Sequence, residues 1–186
     1  LELPKLARQI RRVHRAAQPP PTGPGPMLRR QRGPTQRVWN GRCEIGAPIR
    51  GIRRKTRVDR SVITGIGDDT AILRPDPSKE ILFTTDMLIE DVHFRLEEAT
   101  AYQIGRKALA VNLSDIAAMG GVPRHAVVSV GLPARLPRNF AGQMYEGIRA
   151  LARRFRVNIV GGDTNASKKL TVSIALLGEC ERSKAV

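Results

Sequence analysis

An α+β fold, with helices on one face of a mixed or antiparallel sheet, is the architecture this sequence predicts. Three observations predict it. Short β-prone apolar runs open and close the segment from Val62 onward, two long helical stretches lie between them, and Gly, Pro or Asp clusters mark the junctions. The order reads β-β-α-β-α-β-β.

Val62–Ile66 is a short β-prone run ending at Gly67, and Thr70–Leu73 reads as its continuation past an acidic pair. Pro75-Asp76-Pro77-Ser78 is a turn. Ile81–Thr85 reads as a buried strand that delivers Asp86 at its end. Ala101–Met119 is rich in Ala and Leu and is closed by Gly120-Gly121 and Pro123, so it predicts a helix. His125–Leu132 reads as a strand. Asn139–Arg156 predicts a second helix, because Met144, Ile148, Leu151 and Phe155 recur along one face. Val157–Val160 and Leu170–Leu177 complete the strands.

The formal charge of +15 points first to a nucleic-acid binder. Its distribution weakens that idea. Residues 1–60 hold 16 Lys and Arg against 3 acids, whereas residues 61–186 hold 16 against 14. The first 58 residues also carry 8 of the 13 prolines and show no sustained period, so they are expected to stay disordered. A short helix over Leu3–Ala17 fits Leu6, Ile10 and Val13 on one face. This segment reads as a non-native or mis-started extension; a basic arm for nucleic acid or anionic lipid and an Arg-rich transit peptide are the alternatives. The domain division is therefore 1–58 and 59–186. No apolar run reaches the roughly 20 residues that span a bilayer. Cys43 and Cys180 lie far apart without a partner motif, which supports neither a disulfide framework nor a zinc site. A reducing cytoplasm is the expected setting.

Four acidic clusters stand out: Gly65-Ile66-Gly67-Asp68-Asp69, Thr84-Thr85-Asp86, Asn112-Leu113-Ser114-Asp115 and Gly161-Gly162-Asp163-Thr164. Each alone is weak. Asp68-Asp69 fits a plain turn, Thr84-Thr85-Asp86 a strand edge, and Asp115 an exposed position on an Ala-rich helix. Asp115 shares a helical face with Asn112 and Ala108, among small residues that let a ligand approach. Gly161-Gly162 after Ile159-Val160 reads as a strand-to-loop junction where backbone N–H groups approach phosphate oxygens. Together the clusters offer oxygen ligands without Cys or paired His, the donor set of magnesium rather than zinc. Neither a P-loop nor a kinase-type Gly-rich loop is present. His93, seven residues after Asp86, suits contact with an anionic substrate, although a surface histidine is the commoner outcome.

The segments GIGDDTAIL (65–73), TTDMLIEDVHF (84–94), KALAVNLSDIAAMGGVP (107–123) and IVGGDT (159–164) closely resemble the N-terminal half of thiamine-monophosphate kinases, a family of the aminoimidazole ribonucleotide synthetase-like superfamily. The resemblance runs from about Val62 to Gly178. It implies the N-terminal-domain fold of that superfamily and ATP-dependent phosphorylation of thiamine phosphate to thiamine diphosphate. It implies Asp69, Thr84, Thr85, Asp86, Asp115 and Asp163 as Mg2+ ligands, Gly162 and Asp163 as ATP contacts, and His93 as a substrate contact. It also implies a homodimer paired through the sheet, and a second domain beyond Val186 that closes over the substrate. On this reading the chain is the truncated ATP-binding half, expected to bind Mg-ATP weakly and turn over little. The alternatives are another enzyme of the superfamily, such as a selenophosphate synthetase, or an inactive module whose basic arm binds nucleic acid.

Overall fold

The computed structural model describes residue 56 and residues 58–186. The expected disorder of 1–58, the helix over Leu3–Ala17, the basic arm and Cys43 fall outside them, apart from residues 56 and 58.

The first two strands correct the sequence reading. β1 (Val62–Thr64) and β2 (Ile72–Leu73) pair antiparallel, so the chain turns back at the acidic loop instead of running through it. Two adjacent carboxylates are costly to carry inside a strand and easily solvated on a turn, and both Asp68 and Asp69 are exposed. The main sheet contains β3 (Lys79–Ile89), β4 (Val122–Leu132), β5 (Asn158–Ala166) and β6 (Thr171–Glu181) in the order β3-β6-β4-β5. β6 is antiparallel to both neighbours, while β4 and β5 are parallel. That parallel pair needs a crossover, which α2 (Phe140–Phe155) supplies. α1 (Ala101–Ala118) links β3 to β4 and starts with a reciprocal cap between Thr100 and Gln103.

Strand lengths differ from expectation because pairing decides them. An unbroken register from Lys79 opposite Glu181 to Ile89 opposite Thr171 carries β3 well past Thr85. Asp86 therefore sits within the strand, not at its end. β5 likewise continues through the glycines to Ala166, with Gly161 opposite Val127 and Asp163 opposite Ser129, so no strand-to-loop junction occurs there.

Both helices pack on one sheet face. Val172, Ile174 and Leu176 of β6 and Val128 of β4 are fully buried beneath Leu109 and Leu113 of α1 and Ile148 and Leu151 of α2. Burying each such side chain contributes about 1.5–3 kcal/mol. The opposite face is open: Ile81 is 58% exposed, Phe83 69% and Met87 50%. The helices touch through backbone. A Cβ on Gly105 would lie 2.0 Å from the Met144 carbonyl oxygen, and one on Gly147 would lie 2.0 Å from that of Tyr102.

The segment before β1 is tied to the sheet by a polar ring. Asp59 N–H donates to Asn158 Oδ1 at 3.0 Å, and Asn158 Nδ2 lies 3.3 Å from His125 Nδ1. Ser61 Oγ lies 3.3 Å from His125 Nε2 and donates to the Asp59 carboxylate. These bonds are mutually consistent when the His125 proton is on Nε2. Burial holds the His125 ring below the ordinary histidine range, with the nearby Asp59 charge opposing.

Candidate functional site

β3 and α1 run side by side, and polar groups face one another across the groove between them. Strand alternation turns Thr84 and Asp86 toward α1, and turns Phe83, Thr85 and Met87 to the open face. Thr84 Oγ1 donates to Asp115 Oδ2 at 2.8 Å. Fully buried Asn112 accepts from Asp86 N–H at 3.1 Å through Oδ1 and donates to Ala108 O at 3.0 Å through Nδ2. Asn112 therefore acts as a clamp between strand and helix. Burial pushes the Asp86 carboxyl above the usual range, the adjacent Asp115 charge pushes it further, and His93 pulls the other way.

Two like charges held together by rigid elements are the environment that a hard cation relieves. Among the described residues no group of three or more His, Cys, Asp or Glu converges on one metal position. Thr84, Asp86 and Asp115 fit Mg2+ nonetheless, since that ion takes one or two carboxylates and completes its shell with water and phosphate oxygens.

The other members of the expected set lie elsewhere. Asp163 is on β5, with β6 and β4 between it and β3, a separation of about 14 Å at ~4.8 Å per strand. Its register with exposed Ser129 puts it on the open face, as alternation does Thr85. Asp69 is exposed, its N–H bonded to Asp68 Oδ1 at 3.0 Å. The acidic loop sits near the β5 edge, because Ile66 joins Tyr145, Ile159 and Gly161–Thr164 in lining a cleft of about 80 Å³. One chain thus gathers Thr84, Asp86 and Asp115 at one sheet edge, and the GIGDD loop, Gly162 and Asp163 at the other.

Gly162 has a packing reason of its own. It holds φ +147, and a Cβ there would lie 1.9 Å from the Val128 carbonyl oxygen. Beside it the Tyr145 hydroxyl bonds to Thr164, and burial pushes its pKa up to about 12. Sequence reasoning passed over Tyr145 because it adjoins the α2 core stripe at Met144. The available signal was a single aromatic hydroxyl beside an otherwise apolar face.

His93 follows β3 in a tightly bonded turn. Its N–H donates to Ile89 O at 2.9 Å, and its Nδ1 accepts from Ile89 N–H at 3.0 Å. The neutral ring therefore carries its proton on Nε2. Lys107 Nζ donates to His93 O at 2.5 Å. The sequence reading gave Lys107 no role, although it opens the segment KALAVNLSDIAAMGGVP and lies eight residues before Asp115 on the same helix.

Residues 67–180 match the family described as AIR synthase related protein, N-terminal domain. Thiamine-monophosphate kinase of Bacillus subtilis is 40% identical over 138 residues, covering 74% of this chain and 42% of that protein. The crystal structure of thiamine-monophosphate kinase from Stenotrophomonas maltophilia superposes with a TM-score of 0.65 at 33% identity, over 78% of this chain and 44% of the other. A structure of AaThiL complexed with AMPPCP and TMP gives 0.55 at 36% identity, over 74% and 41%. The chain thus spans less than half the length of these relatives. It belongs to the AIR synthase related family, whose N-terminal domain it carries.

Proposed function

We propose that this chain provides the nucleotide- and metal-binding half of a thiamine-phosphate kinase. An oxygen of thiamine phosphate bonds to the γ-phosphorus of ATP, the bond to the β,γ-bridging oxygen breaks, and thiamine diphosphate and ADP result. The acceptor is already a phosphate oxyanion near neutral pH, so no strong general base is required. Holding two anions in line and neutralising their charge is the main task. The arrangement of Thr84, Asp86, Asn112 and Asp115 carries this reading. These residues would hold Mg2+, which when bound neutralises phosphate charge and orients the transferring group. Gly162, Asp163 and the Tyr145 cleft would take the nucleotide, and His93 would contact the substrate.

The same reading extends to a homodimer. A homodimer formed through the open sheet face would cover Ile81, Phe83 and Met87. It would also bring a second copy to the face that carries Thr85 and Asp163. Asp69 belongs to the same proposed metal set.

A cytoplasmic setting suits the unpaired Cys180, and no described helix is long and apolar enough to cross a membrane. Cys180 is 4% exposed, and burial pushes its thiol above the usual range.

Calorimetric titration of AMPPNP with and without Mg2+ tests the proposal. Binding that requires Mg2+ is the expected result. Absence of binding by a folded sample would remove the nucleotide site from this half.

A further inference from the structure

The β3–α1 groove has a second, basic end. Running from one end to the other, Thr84 faces Asp115, Asp86 faces Asn112, and His93 faces Lys107. Eight residues separate Lys107 from Asp115, a rise of about 12 Å along α1. The acidic and basic ends thus lie within reach of a single extended ligand.

Two donors converge at the basic end. His93 is exposed, and its Nε2–H has no hydrogen-bond partner among the described residues, because the backbone of Ile89 already occupies Nδ1. Lys107 makes one bond, to the His93 carbonyl, which leaves two of its three N–H groups. It is half-buried on the helix, and burial alone holds its ammonium below the usual lysine range. A partly desolvated cation normally has a carboxylate beside it. Among the described residues Lys107 has none, whereas six other cations are ion-paired. The acids of the adjoining turn are already engaged. Glu90 pairs with Arg135 and accepts from Leu170 N–H at 2.8 Å, and Asp91 pairs with Lys169 at 3.4 Å.

The turn presenting these donors is held from several sides. Buried Glu90 fastens its start, Asp91 adopts φ +65 and donates to Phe94 O at 2.8 Å, and Lys107 holds the His93 carbonyl. Donors held in place before the ligand arrives lose little entropy on binding it.

We propose that Lys107, together with His93 Nε2–H, forms the seat for the phosphate of the acceptor substrate, with Lys107 supplying the charge that separates thiamine phosphate from thiamine. The inference rests on the kinase reading and adds the residue that selects a phosphorylated acceptor. An ammonium and an imidazole N–H together suit a phosphate monoester dianion.

The test is calorimetric titration of thiamine phosphate and, separately, thiamine into the chain and its Lys107→Gln and Lys107→Arg variants. Glutamine keeps a donor for the His93 carbonyl and removes the charge; arginine keeps the charge. Wild type is expected to prefer thiamine phosphate. Lys107→Gln should lose about tenfold or more of that preference, Lys107→Arg should retain most of it, and Mg-AMPPNP should bind all three alike. In wild type, the 15N resonances of His93 Nε2 and Lys107 Nζ should move with thiamine phosphate and stay in place with thiamine, a readout independent of how the variants fold. If Lys107→Gln keeps the full preference, or the Lys107 resonance stays in place while thiamine phosphate binds, the assignment of Lys107 is overturned and the kinase reading survives. If wild type binds Mg-AMPPNP but neither thiamine compound, the phosphate seat is overturned while the nucleotide-binding reading survives.

Discussion

Replacing Asp115 with asparagine is expected to act in opposite directions with and without metal. The new side chain keeps an oxygen for the Thr84 hydroxyl, whose donated bond is 2.8 Å long, and removes the charge next to Asp86. Two like charges about 4 Å apart repel by ~1–4 kcal/mol between bulk water and a partly shielded surface. Asp115 is exposed and Asp86 only partly buried, so screening favours the low end, about 1 kcal/mol. The metal-free variant should therefore be more stable than wild type by about 1 kcal/mol. The raised pKa of Asp86 gives a second handle. A carboxyl raised in the folded state contributes stability that is full below its unfolded pKa and is lost as pH rises through the folded value. The advantage of Asp115→Asn in EDTA should thus be largest at neutral pH and fade toward acid. A ligand at a hundred times its dissociation constant stabilises by about 2.7 kcal/mol. With saturating Mg2+ and AMPPNP wild type should gain that much and the variant little, reversing their order. Urea denaturation followed by circular dichroism, in EDTA and then with Mg-AMPPNP, measures both halves. A variant less stable than wild type in EDTA would refute the repulsion argument. An equal gain with Mg-AMPPNP would refute Asp115 as a ligand.

Gly105→Ala puts a methyl group where the Met144 carbonyl oxygen is 2.0 Å away; overpacking of about 1–3 kcal/mol or more should exceed the ~1 kcal/mol gain in helix propensity. The same change at Gly142, with nothing within 4 Å, should stabilise, by about 0.5–1 kcal/mol, so urea midpoints of opposite sign check both. For His125, burial lowers the folded-state pKa, so its contribution is complete above the unfolded value near 6.5 and is lost as pH falls through the folded value. Wild type should therefore lose stability from pH 7.5 toward 5 relative to His125→Gln, and parallel urea midpoints for the two would contradict the role given to the ring.

The helices were readable because their signals are local: the glycine pair and proline after α1, and the apolar stripe of α2 ending at Arg156 with φ +56. The strands were legible only in their apolar halves. Gly, Asp and Asn are poor strand formers, so nothing in Gly161–Asn165 announces β5, and pairing with β4 overrides that preference. The far half of β3 depends on β6 in the same way. For the candidate site, the sequence supplied the residue types but not their grouping. Strict alternation already separates Thr84 from Thr85, a distinction the sequence contained. The order β3-β6-β4-β5, which parts Asp86 from Asp163, depends on long-range pairing that no local pattern encodes.

The reciprocal contact of Gly105 and Gly147 has a mechanical consequence. Side chains between helices can yield by changing rotamer, but backbone pressed on backbone has no such freedom. α1 carries Asp115, and α2 carries Tyr145 at the cleft on the opposite sheet edge. The glycines thus fix the spacing of the two helices through the main chain itself, and with it the placement of the two sheet-edge sites relative to each other.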